Sequence, residues 1–160
     1  MSGPCLELAA VSAYLLLKLA HVFLAIVAIG TNLSYSLWLR AGEREPAHLA
    51  YTIRGIRAID RRLANPAYAL LLVTGLLIIL VTGIPLTQLW LLLAIAIYVA
   101  AAIIGYFVFG PVVRRELAAL ERGGVDDPEY RRCRDQARTL GIVTAAMVLF
   151  ILALMVTKPS

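Results

Sequence analysis

The sequence has 160 residues, of which 61% are hydrophobic and 16% are charged. Soluble domains contain about 45–50% apolar and about 25% charged residues, so this composition excludes an ordinary soluble globule. The net charge of +5 comes from basic residues between the apolar runs and not from a free basic arm, so we expect no nucleic-acid partner. The sequence predicts an all-α, polytopic membrane protein whose principal partner is the lipid bilayer.

Four apolar stretches, the first with Lys18 as its only permanent charge, are long enough to cross a bilayer. In the first, Lys18 and Arg40 lie about 33 Å apart along a helix, which is one bilayer thickness. The second and third are joined by a turn at Thr82-Gly83-Ile84-Pro85, and the fourth is bounded by Arg138 and Lys158. We predict one domain, residues 1–160, that forms a four-transmembrane-helix bundle with amphipathic cytoplasmic helical extensions. The spans are predicted at about 14–39, 66–82, 88–111 and 139–157.

Positive charge is concentrated in two connections, which hold 13 of the 15 Lys and Arg residues. Under the positive-inside rule both basic connections face the cytoplasm, so both termini and the Gly83 turn lie outside. The basic residues of the first connection are Arg40, Arg44, Arg54, Arg57, Arg61 and Arg62. Those of the second are Arg114, Arg115, Arg122, Arg131, Arg132, Arg134 and Arg138.

The basic connections carry helical signals of their own. Between Pro46 and Leu63, apolar residues recur on one helical face, which predicts an amphipathic helix on the inner interface or an extension of the second span. Asn65-Pro66 and Asp127-Pro128 each predict a helix start with a capping residue before proline. Gly123-Gly124 predicts a break between two helical arms. The apolar face of the predicted amphipathic helix consists of Leu49, Ile53, Ile56, Ile59 and Leu63.

Two pairs of small residues offer close helix contacts. Ala101 and Gly105 in the third span, and Gly141 and Ala145 in the fourth, are spaced so that two helices can approach closely. Such pairs serve packing within one chain as readily as a homodimer or a larger membrane complex, so they leave the oligomeric state open.

A stripe of polar and small side chains runs along one face of the first span. Ionisable groups in hydrocarbon are costly and commonly functional, so we expect this stripe to face the protein interior. His21 is the candidate metal ligand, for haem iron, and Lys18, Tyr14 and Asn32 are further cofactor-binding candidates. A histidine that simply hydrogen-bonds a neighbouring helix is the structural alternative. The stripe comprises Tyr14, Lys18, His21, Ala25, Ala28, Asn32, Tyr35 and Ser36.

The other three spans contain no carboxylate, so proton- or sodium-coupled transport lacks its usual membrane acid. No nucleophile with an adjacent base and no phosphate-binding loop is recognisable, and the catalytic residues are therefore unknown. His48 belongs to the opposite, cytoplasmic side from His21. Two histidine ligands to one haem would therefore require two copies of His21 across a dimer.

Two stretches resemble a known group of proteins. Leu17-Lys18-Leu19-Ala20-His21-Val22, followed by Gly30 and Arg40, resembles the opening of small bacterial four-helix integral membrane proteins. That group includes HemJ-type protoporphyrinogen oxidases, CopD-like domains and uncharacterised relatives. The stretch from Asp60 to Tyr68, followed by Gly75-Leu76-Leu77, is similar to the same group's entry into its second helix.

The resemblance implies haem b as cofactor, because the first-helix histidine of HemJ-type proteins binds haem b and a lysine in their third helix supports the site. Carried over by position, the haem ligand is His21. After Trp90 this sequence reads Leu91-Leu92-Leu93-Ala94, with neither lysine nor histidine in the third span, so it looks more similar to the uncharacterised relatives. The resemblance also implies the bacterial cytoplasmic (inner) membrane as the location.

Three functions follow from these observations. The first is a membrane protein that binds haem b through His21 for redox or haem-related chemistry. The second is a non-enzymatic structural or accessory membrane subunit in which the polar stripe organises packing. The third is a small-molecule or metal conduit lined by the same stripe. The sequence leaves open whether the protein is an enzyme.

Overall fold

The computed structural model describes residues 4–157, with side chains from Val11 onward. Within this range every regular element is helical, and four helices are long and apolar enough to cross a membrane. Large apolar side chains cover their outer surface, including Leu16 at 67% and Leu80 at 77% exposure. Such exposure is destabilising in water and favourable in lipid, so the all-α, polytopic membrane architecture is confirmed. Lys158, predicted to bound the fourth span, lies outside the described residues.

Six α-helices follow each other along the chain. The first, second and fourth predicted spans lie inside α1, α3 and α6, and the third runs through α4, a π-helical turn and the start of α5. A π-helical turn, Asp60–Ala64, joins α2 to α3, a second one, Ile104–Phe109, joins α4 to α5, and a short 3₁₀ turn, Gly124–Asp126, precedes α6. The helices are α1 (Pro4–Arg44), α2 (Pro46–Ile59), α3 (Asn65–Thr82), α4 (Leu89–Ile103), α5 (Gly110–Gly123) and α6 (Pro128–Thr157).

The turn between α3 and α4 forms where the sequence predicted it. Gly83 has φ +65°, a left-handed conformation that glycine adopts without the steric cost of a Cβ atom. Its N–H donates to the carbonyl of Ile79 at 3.0 Å, which satisfies one of the last free carbonyls of α3.

The predicted helix start at Asn65-Pro66 is wrong. Asn65 has helical dihedral angles of −61° and −46°, so the chain runs from α2 into α3 without a capped start. The Asn65 N–H bonds to the carbonyl of Asp60, five residues back, and this wider turn accommodates the proline ring that would clash in a regular α-helix. The same arrangement recurs before Pro111, where the Gly110 N–H bonds to the Gly105 carbonyl. The third span was predicted to reach about residue 111, and the helix continues through Pro111 to Gly123.

Asp127 does cap α6 as predicted. Its Oδ1 accepts hydrogen bonds from the N–H groups of Glu129 at 2.7 Å and Tyr130 at 3.3 Å. The predicted break at Gly123-Gly124 is also present, since Gly124 has φ +73° and terminates α5.

The chain divides into two compact units. Unit one is the chain up to Ser36 together with Ile56–Pro85, and unit two is Leu37–Gly55 together with the chain from Leu86 onward. In unit one, the side chains of α1 and α3 are joined by hydrogen bonds. In unit two, α6 packs against both α4 and α5.

The amphipathic helix extends α3 and does not lie on the interface as a separate element. Two of its predicted apolar residues, Leu49 and Ile53, are each 2% exposed and belong to the core of unit two. Ile59 and Leu63 are 42% and 48% exposed. The predicted apolar face is therefore covered by protein at Leu49 and Ile53 and largely uncovered at Ile59 and Leu63. The buried core of unit two also contains Leu117, Ala119, Leu120 and Tyr130.

The small residues predicted for close packing in unit two are not tightly packed. A Cβ atom added at Gly105 or Gly141 would meet no heavy atom within 4 Å in the part of the chain that the structure describes. In unit one, by contrast, Ala28, Ala64 and Ala67 are between 0% and 4% exposed. Small side chains there permit the approach of backbone segments that places the polar groups of α1 against α3.

Candidate functional site

His21 contacts α3 through a side-chain hydrogen bond. Its Nδ1 lies 2.8 Å from Oγ1 of Thr74, and both residues belong to unit one. The Thr74 hydroxyl also donates to the carbonyl of Leu70 at 2.8 Å, within its own helix. Because that bond uses the single hydroxyl proton, we assign the remaining interaction to an Nδ1–H of His21 that donates to Thr74.

This assignment leaves Nε2 of His21 as the atom with a free lone pair. No second side chain hydrogen-bonds the imidazole among the described residues. A histidine held through Nδ1–H with Nε2 free has the tautomer and fixed orientation found in many metal-binding histidines. The contact with Thr74 therefore prepares the ring for a ligand at Nε2.

Gly75 makes room for the imidazole. A Cβ atom at this position would lie 3.1 Å from Cε1 of His21 and 3.7 Å from Nδ1, closer than the ring could accept without moving. Gly75 has a helical conformation, so the requirement for glycine is steric and not conformational. A side chain at position 75 would require the His21 ring to shift by a few tenths of an ångström.

Asn32, another predicted site residue, makes a separate contact further along the same helix pair. Its amide donates to the hydroxyl of Tyr68, which in turn lies 3.5 Å from the carbonyl of Ala28. Eleven residues of helix separate His21 from Asn32, a rise of about 16 Å, so the two side chains do not meet at one ligand-sized point.

Lys18 and Tyr14 contact each other near the other end of α1. The Nζ of Lys18 lies 6.0 Å from the centre of the Tyr14 ring, at the outer limit of a cation–π interaction. Lys18 is exposed and one turn from His21. The structure therefore divides the predicted stripe into three contacts, those of Tyr14 with Lys18, His21 with Thr74 and Asn32 with Tyr68.

Asp60 is a polar residue of this helix pair that the sequence analysis missed. Its Oδ1 accepts from the hydroxyl of Tyr35 at 3.4 Å, and its Oδ2 accepts from the Asn65 amide at 3.4 Å. Asp60 lies before the predicted second span, which begins at about residue 66, so it was not among the candidate site residues. The signal available in the sequence was Tyr35 on the polar stripe, which needs a polar partner on the neighbouring helix.

Several arginines of the basic connections form ion pairs inside unit two. Arg54 contacts Glu121 at 2.8 Å, and Arg134 contacts Glu43 through both Nε and Nη2, at 2.8 and 2.7 Å. Exposed pairs of this kind contribute about 0–1 kcal/mol each. These arginines therefore join helices within unit two in addition to any role in setting membrane orientation.

Glu116 is a buried carboxyl among these charges, 5% exposed and past the end of the uncharged stretch of α4 and α5. Burial raises the pKa of Glu116 to about 7, the Arg134 guanidinium opposes this rise, and the Glu43 carboxylate adds to it. His48 is exposed and is not one of the groups that act on Glu116.

A comparison with known protein families identifies the family of this chain. A family model described as a predicted integral membrane protein (DUF2269) matches residues 15–159. The chain belongs to the DUF2269 family. No curated protein and no solved structure matches this DUF2269 protein. The family match covers all four spans and agrees with multi-pass membrane insertion, whereas the likeness to HemJ-type and CopD-like proteins stays a prediction.

Proposed function

We propose that this integral membrane protein binds haem b through Nε2 of His21 and serves redox or haem-related chemistry. One contact carries the proposal: Nδ1 of His21 lies 2.8 Å from Oγ1 of Thr74, and the Nδ1–H tautomer assigned from this contact leaves the lone pair on Nε2 for a ligand. An imidazole nitrogen without a partner in hydrocarbon is costly, and coordination to iron removes that cost.

The donor set fits haem better than a bare metal ion. Among the described residues no group of three or more His, Cys, Asp or Glu side chains could hold a metal. Haem needs only one or two protein ligands, because the porphyrin supplies four nitrogens to the iron. Bound haem would supply one-electron chemistry, and this chain's own residues would fix the histidine: Thr74 orients the ring and Gly75 admits it.

The test is the absorbance spectrum of the purified full-length protein, as isolated and after haem supplementation. We expect a Soret band that is lost in His21→Ala and retained in His48→Ala, the matched control on the exposed surface of α2. Absence of a Soret band after supplementation, or an unchanged spectrum in His21→Ala, would overturn the proposal.

The second candidate is a non-enzymatic structural or accessory subunit. The same hydrogen bond favours it, because His21 and Thr74 join two helices and interhelical bonds of this type stabilise membrane proteins by about 0.6 kcal/mol on average. In that case His21→Ala leaves the protein colourless and folded, and crosslinking in membranes recovers a fixed partner. A detergent-resolved mass would then separate a homodimer from a complex with another protein.

A further inference from the structure

Asp60 is a carboxyl group with unusually weak partners. Both groups that donate to it, the Tyr35 hydroxyl and the Asn65 amide, are neutral, and both distances are 3.4 Å. Hydrogen bonds at that distance stabilise a negative charge poorly compared with the 2.7–2.9 Å bonds of charge-assisted pairs. The residue is nevertheless only partly accessible.

No ion pair among the described residues includes the Asp60 carboxylate, although Arg57, Arg61 and Arg62 are close to it in the sequence. The ion pairs formed by described residues join Arg54 to Glu121, Arg122 to Glu129, Arg131 to Asp126 and Arg134 to Glu43, and none includes Asp60. Arg61 and Arg62 are exposed. Exposed as they are, these two arginines form no ion pair with Asp60.

The contact with Tyr35 sets the depth of Asp60. Tyr35 lies five residues before Arg40, about 7.5 Å along α1 and inside the uncharged part of that helix. A carboxylate held at this level without a cation pays a large desolvation cost, which a bound proton removes.

The contacts of Asp60 suit a proton better than a metal ion. A metal cation requires several oxygen ligands, whereas both neighbours of Asp60 present hydrogens to it. A phenol can donate to a carboxylate and accept from a carboxylic acid, so the Tyr35 contact survives in either protonation state. Tyr68 of α3 is the other titratable group that faces Asp60, and Arg57 is half-buried on its own helix.

We propose that Asp60, Tyr35 and Asn65 form a proton-binding site at the arginine-rich ends of α1 and α3, in which the carboxyl group of Asp60 carries a proton at neutral pH. The site exchanges that proton with the adjacent aqueous phase. It supplies the acid that a proton-coupled reaction or transport step in this membrane protein would use, and it does not depend on haem binding at His21.

The test follows the carboxyl stretching band by infrared difference spectroscopy while the pH of the reconstituted full-length protein is titrated. We expect a protonated-carboxyl band that persists at neutral pH and is lost in Asp60→Asn. A separate band from Glu116, whose pKa is about 7, should be lost in Glu116→Gln and not in Asp60→Asn. Asp135→Asn, which removes an exposed aspartate of unit two, is the matched control and should retain the band. Tyr35→Phe removes a donor to the ionised form, so the midpoint should move to higher pH by up to about one unit.

Three results would overturn the inference. In the first, the wild-type band that Asp60→Asn removes titrates near the ordinary aspartate pKa of about 3.9. Another is a Tyr35→Phe midpoint at lower pH than that of the wild type. A third is a midpoint that moves with sodium concentration at constant ionic strength, which would identify a metal-cation site. Tyr35→Phe retains Asp60 and keeps the test valid if Asp60→Asn does not fold.

Discussion

Glu116 shows how a single buried carboxyl couples stability to pH. Glu116 lies on α5 within electrostatic range of the ion pair of Glu43 with Arg134, and burial raises its pKa from about 4.5 to about 7. The unfolded chain releases this proton at lower pH than the folded protein does. The contribution of Glu116 to stability is therefore greatest below about pH 4.5, falls as the pH rises to about 7, and is constant above that.

We predict that Glu116→Gln removes this pH dependence and raises the free energy of unfolding at pH 8 by about 1–3 kcal/mol. Thermal unfolding of the detergent-solubilised protein at pH 5 and pH 8 measures the effect. Glu121→Gln is the control, because Glu121 forms an exposed pair with Arg54 and should change stability by less than about 1 kcal/mol at either pH. Equal stability of Glu116→Gln and wild type at pH 8 would contradict the prediction.

We expect Thr74 to stabilise the folded protein through its hydroxyl oxygen and not through the shape of its side chain. Thr74→Val keeps the volume but leaves the Nδ1–H of His21 without an acceptor, so we predict a loss of about 1 kcal/mol of stability. Thr74→Ser keeps the hydroxyl and should stay within about 0.5 kcal/mol of wild type. Unfolding in mixed micelles compares the three proteins, and a Thr74→Val variant as stable as Thr74→Ser would show that the hydrogen bond contributes nothing.

At the scale of elements, α2 has two different surroundings along one helical face. Leu49 and Ile53 are buried in unit two, whereas Ile59 is 42% exposed. Hydrophobic periodicity identifies the apolar face of a helix but not what covers it, because lipid and protein side chains are equally apolar.

We predict that Ile53→Ala lowers the free energy of unfolding by about 2–4 kcal/mol, since it opens a cavity beneath a side chain that is 2% exposed. Tyr51→Ala on the same helix is the control, with an expected effect within about 0.5 kcal/mol because Tyr51 is 76% exposed. Chemical unfolding monitored by tryptophan fluorescence gives both values. If Ile53→Ala proved as mild as Tyr51→Ala, the buried core of unit two would be absent in the protein.

The two π-helical turns, Asp60–Ala64 and Ile104–Phe109, allow helices to continue through a proline. Each precedes a proline, Pro66 or Pro111, and each lets one long helix continue where a capped start or a helix end was an equally reasonable expectation. A proline lacks the N–H and crowds the preceding turn, and the chain can respond by ending the helix or by widening it. The local sequence does not distinguish these responses, because the choice depends on what the continued helix packs against.

At the scale of the whole molecule, membrane orientation is the main prediction. With 13 of 15 basic residues in two connections, both connections should face the cytoplasm and the Gly83 turn should lie outside. In a variant with Cys5 and Cys133 replaced by serine, Thr87→Cys should react with a membrane-impermeant thiol reagent in intact cells. Ala118→Cys should react only after the membrane is opened. The reverse pattern would show the opposite orientation.

The sequence by itself determined the membrane class, the four spans, the Gly83 turn and the Asp127 cap, because each depends on local hydrophobicity or on one backbone conformation. It also singled out His21, since an ionisable group in hydrocarbon is costly wherever it lies. Only the tertiary structure paired His21 with Thr74 and Asp60 with Tyr35, contacts that span 53 and 25 residues of sequence. Which residues meet across two helices depends on the rotation and depth of each helix, and side-chain packing sets those quantities.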